Sequence, residues 1–341
     1  MRIAIIGYGG VGRALVRLIR DKRDELRKEG IDPTIKYIIT SQGGIYDGEG
    51  IDLDKFITYS LKHRDITNYP EGGSKDIFFR QIIDNKDVDL VIEMTPTNIK
   101  NGQPALSYIS TSLKNGINVI TANKGPILLA YRELYELAKE NKVQLGIGCT
   151  TGGALPSINA GIIDLAGAKI LSIEGILNGT TNFILEEMEK NKIEYEEALK
   201  KAQELGIAEA DPTLDVEGWD AATKLLILAS VLMGGDKGLE DLDIEGITSI
   251  KYEDIERALK EGKRYKLIAR AYLVDGDIRL KVGPELIGSD NPLYYVKGKN
   301  KAVRYITDTL GDLTVAGGAS GVVPAAASIL RDMINIHRGY R

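Results

Sequence analysis

The first 22 residues, Met1–Lys22, read MRIAIIGYGGVGRALVRLIRDK and decide the fold. An apolar run from Ile3 to Ile6 is followed by Gly7, Gly9 and Gly12 in G-x-G-x-x-G spacing, then by Val11, Leu15, Leu18 and Ile19 at helical period. That pattern is a strand, a tight turn and a helix. Glycines at these places let backbone approach a pyrophosphate at the positive end of the helix, and let the helix pack on the strand. The spacing alone also suits a merely tight turn, but its place between strand and helix favours dinucleotide binding. Further apolar strands follow at TIKYIIT (34–40), DLVIEMT (89–95), NVITAN (118–123) and VQLGIG (143–148). Helical patterns such as ALSYISTSLKNG (105–116) and YRELYELAKENK (131–142) separate them, so a parallel α/β sheet is expected to extend to about Gly148.

A strictly NAD-binding sheet of this kind carries an acid at the end of its second strand, where it holds the ribose 2′-hydroxyl and repels a 2′-phosphate. Here that place holds Thr40, Ser41 and Gln42, with neither acid nor arginine, and Lys55 lies in a charged loop beyond. The cofactor is therefore read as NADP or NAD, with the balance toward NADP.

At 341 residues, 43% hydrophobic and 27% charged, the chain has room for two domains and a sizeable core. A net charge of −5 without a basic block argues against nucleic acid or an anionic membrane as partner and points to small-molecule chemistry. One cysteine, Cys149, excludes a disulfide framework and any multi-cysteine metal site. Met1–Ile6 is too short for a signal peptide, and the longest uncharged apolar run, Leu225–Gly235, falls below the roughly 18 residues of a membrane span. The expected compartment is the cytoplasm. Only His63 and His337 are present, neither beside other chemistry, so proton transfer near neutral pH falls to a lysine or a carboxylate.

The middle of the chain offers three candidate stretches. GIGCTTGGALPSINAGI (146–162) is similar, in its Cys and two Thr, to the nucleophile loop of phosphorylating aldehyde dehydrogenases, yet no histidine between Cys149 and His337 is available to activate the thiol. Its other readings are a loop whose carbonyls hold a monovalent cation and a plain interdomain turn. In ILSIEGILNGTTNFILEEMEKN (170–191), Asn178 to Asn182 put small polar groups where a strand meets a helix, suited either to a ligand or to capping. EADPTLDVEGWDAATKLLILASVLMGG (209–235) crowds acids into its first half, and Lys224 is then the only charge before Asp236. Asp220 and Lys224 share a helix face at i, i+4, either as a surface pair or as a buried acid/base, and the apolar residues around them favour the second. Burial disfavours an ammonium, whereas a neighbouring carboxylate favours and orients it. Strands at YKLIARAYLV (265–274) and DIRLKVG (277–283) are expected to join 170–177 in a second sheet, and VAGGASGVVPAAASILRDMI (315–334) to turn into a helix that returns to the first domain. The expected division is 1–148 joined by 305–341 for the dinucleotide, and 149–304 as an α+β domain for substrate, catalysis and dimerisation.

Taken in order, IGYGGVGRALV, EMTPTNI, TANKGPI, GGALPSI, EGILNGTTNFIL, AEADPTLDVEGWDAATK and NPLYYVKGKNKAV span nearly the whole chain and resemble homoserine dehydrogenase. The resemblance implies reversible NAD(P)-dependent oxidation of L-homoserine to L-aspartate 4-semialdehyde, on the route to threonine, methionine and isoleucine, by a homodimer. It implies Lys224 as the proton-transfer lysine, Asp220 as its partner and Lys124 as a second active-site lysine. Glu209 and Asp215 would hold the substrate ammonium, with Gly179 and Thr180 at the substrate edge. Gly7, Gly9, Gly10, Val11, Gly12, Thr95, Lys124 and Gly321 would border the cofactor. Carbonyls of Gly148, Thr151, Gly153 and Leu155 would match the family's monovalent-metal loop, a Na+ site. The chain departs from the pattern at Ile207, where some members have Tyr, and at Gly148, where some have Glu. No regulatory domain follows the returning helix, so feedback through such a module is not expected. The rival readings are the aldehyde dehydrogenase acting through Cys149 and a non-catalytic NAD(P)-binding protein.

Overall fold

Ile3, Ala4 and Ile5 are fully buried, as a strand flanked by neighbours on both sides and covered on both faces must be. This is β1 (Arg2–Ile6), and the computed structural model, which describes residues 1–340, builds the first unit around it. The unit continues through α1 (Gly10–Asp21), α2 (Arg23–Lys28), β2 (Thr34–Thr40), β3 (Gly43–Tyr46), α3 (Leu53–Lys62), β4 (Gly73–Ser74), α4 (Phe79–Asn85), β5 (Leu90–Glu93), α5 (Ala105–Lys114), β6 (Asn118–Thr121), α6 (Lys124–Glu140) and β7 (Leu145–Gly146). The strand order is β4-β3-β2-β1-β5-β6-β7. Strands β2, β1, β5, β6 and β7 are parallel, as expected. Strands β3 and β4 are not: Thr40–Gly43 is a hairpin turn, and β3 runs back antiparallel to β2. These two antiparallel strands are an addition to the expected parallel sheet. Helix α6 also begins at Lys124, seven residues before the periodic stretch that starts at Tyr131, because a kink at Ala130 (φ −147°) breaks the apolar period between its two parts.

The second unit opens with a short helix α7 (Ser157–Asn159) and one π-turn, Ala160–Asp164, then β8 (Ile170–Ile176), α8 (Gly179–Asn191), α9 (Tyr195–Glu204), α10 (Thr213–Val216) and α11 (Trp219–Met233). It continues with β9 (Leu242–Ile244), α12 (Tyr252–Lys260), β10 (Lys263–Val274), β11 (Asp277–Gly288), β12 (Lys301–Thr307) and β13 (Asp312–Gly317). Its sheet has the order β13-β12-β8-β10-β11-β9, with β8 antiparallel to both β10 and β12. Helix α11 is buried continuously from Ala221 to Thr223 and from Leu225 to Ala229, and packs on β8, β10 and β11. Asp275 and Gly276 turn the long β10–β11 hairpin with positive φ.

The last helix, α13 (Val322–Arg338), returns to the first unit and packs on α1; Ile329 and Met333 join the core of Ile3, Ile5, Leu15, Ile19, Ile38, Phe56 and Ile92. The division is Met1–Ala154 with Ser320–Arg341, and Leu155–Ala319. The expected boundaries at 148 and 305 are thus shifted. Residues 149–154 stay with the first unit because α13 ties them down, and 305–319 stay with the second because β12 and β13 pair with its sheet. Among the described residues no helix is long and apolar enough to cross a membrane.

Candidate active site

In the first unit the strand order reverses beside β1, so the crevice beyond the carboxyl ends of β1 and β5 is where such a sheet takes a ligand. Gly7 ends β1 with φ +99°, and a Cβ there would stand 2.5 Å from the Met94 carbonyl oxygen; one on Gly12 would stand 2.4 Å from that of Gly7. Only glycine lets α1 begin so close to the strands. Gly9, the N-cap, has open space where a side chain would be, no side chain caps the helix, and no acid occupies its first turn. Those features fit a dinucleotide phosphate. Gly10 and Val11 form the start of α1, and Gly10 lies against Val322, next to Gly321, which caps α13.

Thr95 and Lys124 sit at the ends of the next two strands. Thr95 donates its N–H (2.7 Å) and its hydroxyl to buried Glu93, and the Thr121 hydroxyl reaches the same carboxylate at 2.7 Å. Asn123 caps α6 by accepting from Gly125 N–H at 3.1 Å, which makes Lys124 the first helical residue. Beyond β2, Thr40 donates to the Gly43 carbonyl at 3.0 Å, while Ser41 and Gln42 are exposed. Lys55, expected in a charged loop, lies instead in the first turn of α3, which Asp52 caps, and is paired with Glu71 at 2.8 Å.

The turns from Gly148 to Ala154 are held by α13. Gly148 N–H donates to Asp332 at 2.7 Å, Arg331 donates to the Ala154 carbonyl at 3.1 Å, and the Cys149 thiol lies 3.6 Å from the Ala325 carbonyl. Cys149 is buried in the first core. Gly148, Thr151 and Gly153 belong to the first unit and Leu155 begins the second. No group of three or more His, Cys, Asp or Glu among the described residues forms a metal site, and neutral carbonyls suit a hard monovalent cation better than a transition metal.

In the second unit the strand-to-helix junction after β8 meets the start of α11. Lys224 Nζ donates to the Leu177 carbonyl at 2.9 Å and to Asp220 Oδ2 at 2.5 Å. Both side chains are mostly buried, with 15% and 18% exposure. Asn178 closes the group. Its amide donates to Asp215 at 2.7 Å and to Asp220 at 3.0 Å, and its oxygen caps α8 by accepting from Thr181 N–H at 3.0 Å. The capping and ligand readings of this cluster thus meet in one residue, and what the sequence reading missed is that Asn178 links Asp215 to Asp220. The signal for it was an Asn directly between a strand and a helix, followed by Gly-Thr-Thr. Gly179 begins α8 against the Lys299 carbonyl, and Thr180 donates to the Ile207 carbonyl at 3.2 Å. Glu209 lies on the exposed loop after α9, its backbone carbonyl held by Gln203 at 3.1 Å and its carboxylate outside the hydrogen-bonded group. Asp211 accepts from Thr213 and faces water.

An amine donating two hydrogens to fixed acceptors keeps its fourth tetrahedral position constant. That position carries a proton in the ammonium and a lone pair in the amine. Lys224 is therefore arranged to give or take a proton without rearranging.

Residues 156–334 match the family model for homoserine dehydrogenase, and residues 7–147 that for the homoserine dehydrogenase NAD-binding domain. Homoserine dehydrogenase of Methanocaldococcus jannaschii is 42% identical over 99% of this chain and 98% of its own length. NAD(+)-dependent homoserine dehydrogenase of Pseudomonas canavaninivorans is 36% identical over 99% and 96%. A solved structure of a hyperthermophilic archaeal homoserine dehydrogenase mutant in complex with NADPH superposes with a TM-score of 0.82 at 28% identity, covering 100% of this chain and 98% of the other. With its glycine turn, its isolated lysine and both halves of its length matched, the chain belongs to the homoserine dehydrogenase family.

Proposed function

We propose that the chain carries out its family's reaction, the reversible oxidation of L-homoserine to L-aspartate 4-semialdehyde, with Lys224 as the proton carrier. The observation that carries this reading is the linked set Lys224–Asp220–Asn178–Asp215. In the oxidative direction Lys224 accepts the hydroxyl proton as the alcohol becomes a carbonyl, and in reverse it returns that proton. Asp220 and the Leu177 carbonyl orient the amine. Asp215, turned by Asn178, supplies a carboxylate for the substrate's ammonium, and Glu209, on a loop with room to move, supplies the second. Gly179 and Thr180 border the same place. The nicotinamide supplies the hydride acceptor when bound, and Gly7, Gly9, Gly10, Val11, Gly12, Thr95, Lys124 and Gly321 would hold the cofactor.

The absence of an acid at Thr40, Ser41 or Gln42 supports acceptance of NADP at least as well as NAD. Carbonyls of Gly148, Thr151, Gly153 and Leu155 are assigned to a monovalent cation such as Na+, on the neutrality of that donor set. A cytoplasmic homodimer follows from the family likeness, and the acidic balance gives no support to nucleic acid as a partner. The burial of Cys149 and the lack of a histidine beside it count against the aldehyde dehydrogenase reading, and a lysine anchored among convergent carboxylates counts against a non-catalytic nucleotide binder. The test is the growth of NAD(P)H absorbance when purified protein and NAD(P)+ receive L-homoserine. Failure of any rise with either nucleotide sinks the reading.

A further inference from the structure

The cofactor side of the first unit contains a buried acid for which the reaction has no direct use. Glu93 ends β5 and is fully buried. Among the described residues its oxygens receive only donors: Thr95 N–H and the Thr95 hydroxyl on one, the Thr121 hydroxyl on the other. Thr95 N–H can only donate, and a carboxylate is the form that uses this donor and both hydroxyls at once. Burial pushes the carboxyl upward, and the hydrogen bonds from Thr95 and Thr121 work against that. The network continues into the next strand end. The Thr121 oxygen accepts from Asn123 N–H at 3.0 Å, and the Asn123 amide donates to the carbonyls of Thr95 and Pro96 at 3.2 and 3.3 Å. Asn123 in turn starts the helix whose first residue is Lys124.

We propose that Glu93 is a positioning residue whose buried carboxylate ties the end of β5 to the end of β6, fixing Thr95 and the Asn123–Lys124 helix start, and whose charge favours the oxidised, cationic nicotinamide over the neutral reduced ring. This rests on the reading that the glycine turn holds NAD(P). In a sheet of this order the crevice beyond β1 and β5 receives the cofactor, and Glu93 pairs in register with Ile6, the last residue of β1. A fixed negative charge in a poorly solvated setting stabilises a nearby cation far more than a neutral ring.

Two variants separate the charge from the bracing. Glu93→Gln keeps the shape and one acceptor oxygen for Thr95 but removes the charge. Thr121→Val keeps the charge and the shape and cuts the link to Asn123. Dissociation constants for NADP+ and NADPH are measured for each by calorimetry, with thermal melting to confirm folding. Glu93→Gln should weaken NADP+ more than NADPH, shifting the ratio of the two constants by about threefold or more. Thr121→Val should weaken both forms several-fold and leave the ratio within about twofold of wild type. An unchanged ratio in folded Glu93→Gln overturns the electrostatic role. Wild-type affinity for both forms in Thr121→Val overturns the bracing, and that measurement decides alone if Glu93→Gln does not fold. Wild-type protein that binds neither nucleotide would overturn the functional reading itself, a result distinct from either variant's.

Discussion

Lys224→Ala removes one ammonium and leaves two groups behind. The Leu177 carbonyl loses a donor at 2.9 Å, and Asp220 loses one at 2.5 Å but keeps Asn178 at 3.0 Å. Asp220 also retains 18% exposure, so water can reach it in part. The penalty is that of a mostly buried carboxylate that loses one partner and keeps another, about 1–3 kcal/mol, below the cost of a fully stranded buried charge. Catalysis should suffer more. A general acid/base contributes about 10²- to 10⁴-fold, or about 3–5 kcal/mol of barrier. The expected pattern is thus a kcat reduced by that factor, a melting point lowered by a few degrees and cofactor affinity close to wild type. Lys224→Arg sharpens the test. It restores a cation for Asp220 and Leu177 and with it much of the stability, but a guanidinium does not give up its proton near neutral pH, so turnover should remain low. Initial rates of NAD(P)H formation from L-homoserine, beside nucleotide titration and melting curves, measure all of this. Lys124→Ala is the necessary control. Should folded Lys224→Ala keep turnover within about threefold of wild type while Lys124→Ala is inactive, the two lysines exchange roles.

Cys149→Ala should keep most of its activity and lose about 1–2 kcal/mol of stability from the space vacated in the first core; loss of turnover in a folded variant, or a trapped thioester, revives the thiol mechanism. Values of kcat/KM with NADP+ should equal or exceed those with NAD+, and a strong NAD+ preference would reveal a group that excludes the 2′-phosphate. Lys266, only 4% exposed and bonded to Asn182 and the Val296 carbonyl, has its ammonium pushed by burial from the ordinary 10.5 down to about 8. The unfolded chain holds that proton more tightly, so the group's contribution to stability is fully present above pH about 10.5 and is lost as pH falls toward 8, a span of about 3 kcal/mol. Denaturant unfolding of wild type and Lys266→Met between pH 7 and 10 should show their difference shifting toward wild type as pH rises; a flat difference refutes the assignment.

The fold was legible wherever local chemistry and period agree. Ile3–Ile6 and the glycines after it define a strand and a helix start within a few residues, and the returning helix announced itself through another glycine-rich turn. Strands β3 and β4 were not legible because Gly43 and Gly44 carry no side chain from which to read alternation, and β4 is two residues long. Both exist through pairing with β2 and with each other. The boundary at 305 failed for a related reason. KAVRYIT is an apolar strand that could have belonged to either sheet, and only its register with β8, Ala302 against Ile176 and Tyr305 against Ile173, assigns it.

The site divides along the same line between local and distant chemistry. Asp220 and Lys224 are one helical turn apart, and a lone cation in an apolar run is visible in any reading of the sequence. What sets Lys224 apart from half of a simple ion pair, and supports its proposed role, is the second acceptor, the Leu177 carbonyl, 47 residues away. A backbone carbonyl has no sequence signature. It is available to Lys224 because β8 ends there and α8 begins two residues later, so neither element uses it. Asn178, next in the chain, takes the remaining duties of that junction, capping α8 with its oxygen and holding Asp215 and Asp220 with its nitrogen. An aspartate there would cap the helix equally well, but it would set a third carboxylate between two others and give neither a donor. Asn178→Asp should therefore leave α8 intact while raising the KM for L-homoserine and lowering kcat, because Asp215 and Asp220 are pushed apart. An unaltered KM would mean that Asp215 does not depend on Asn178 for its place.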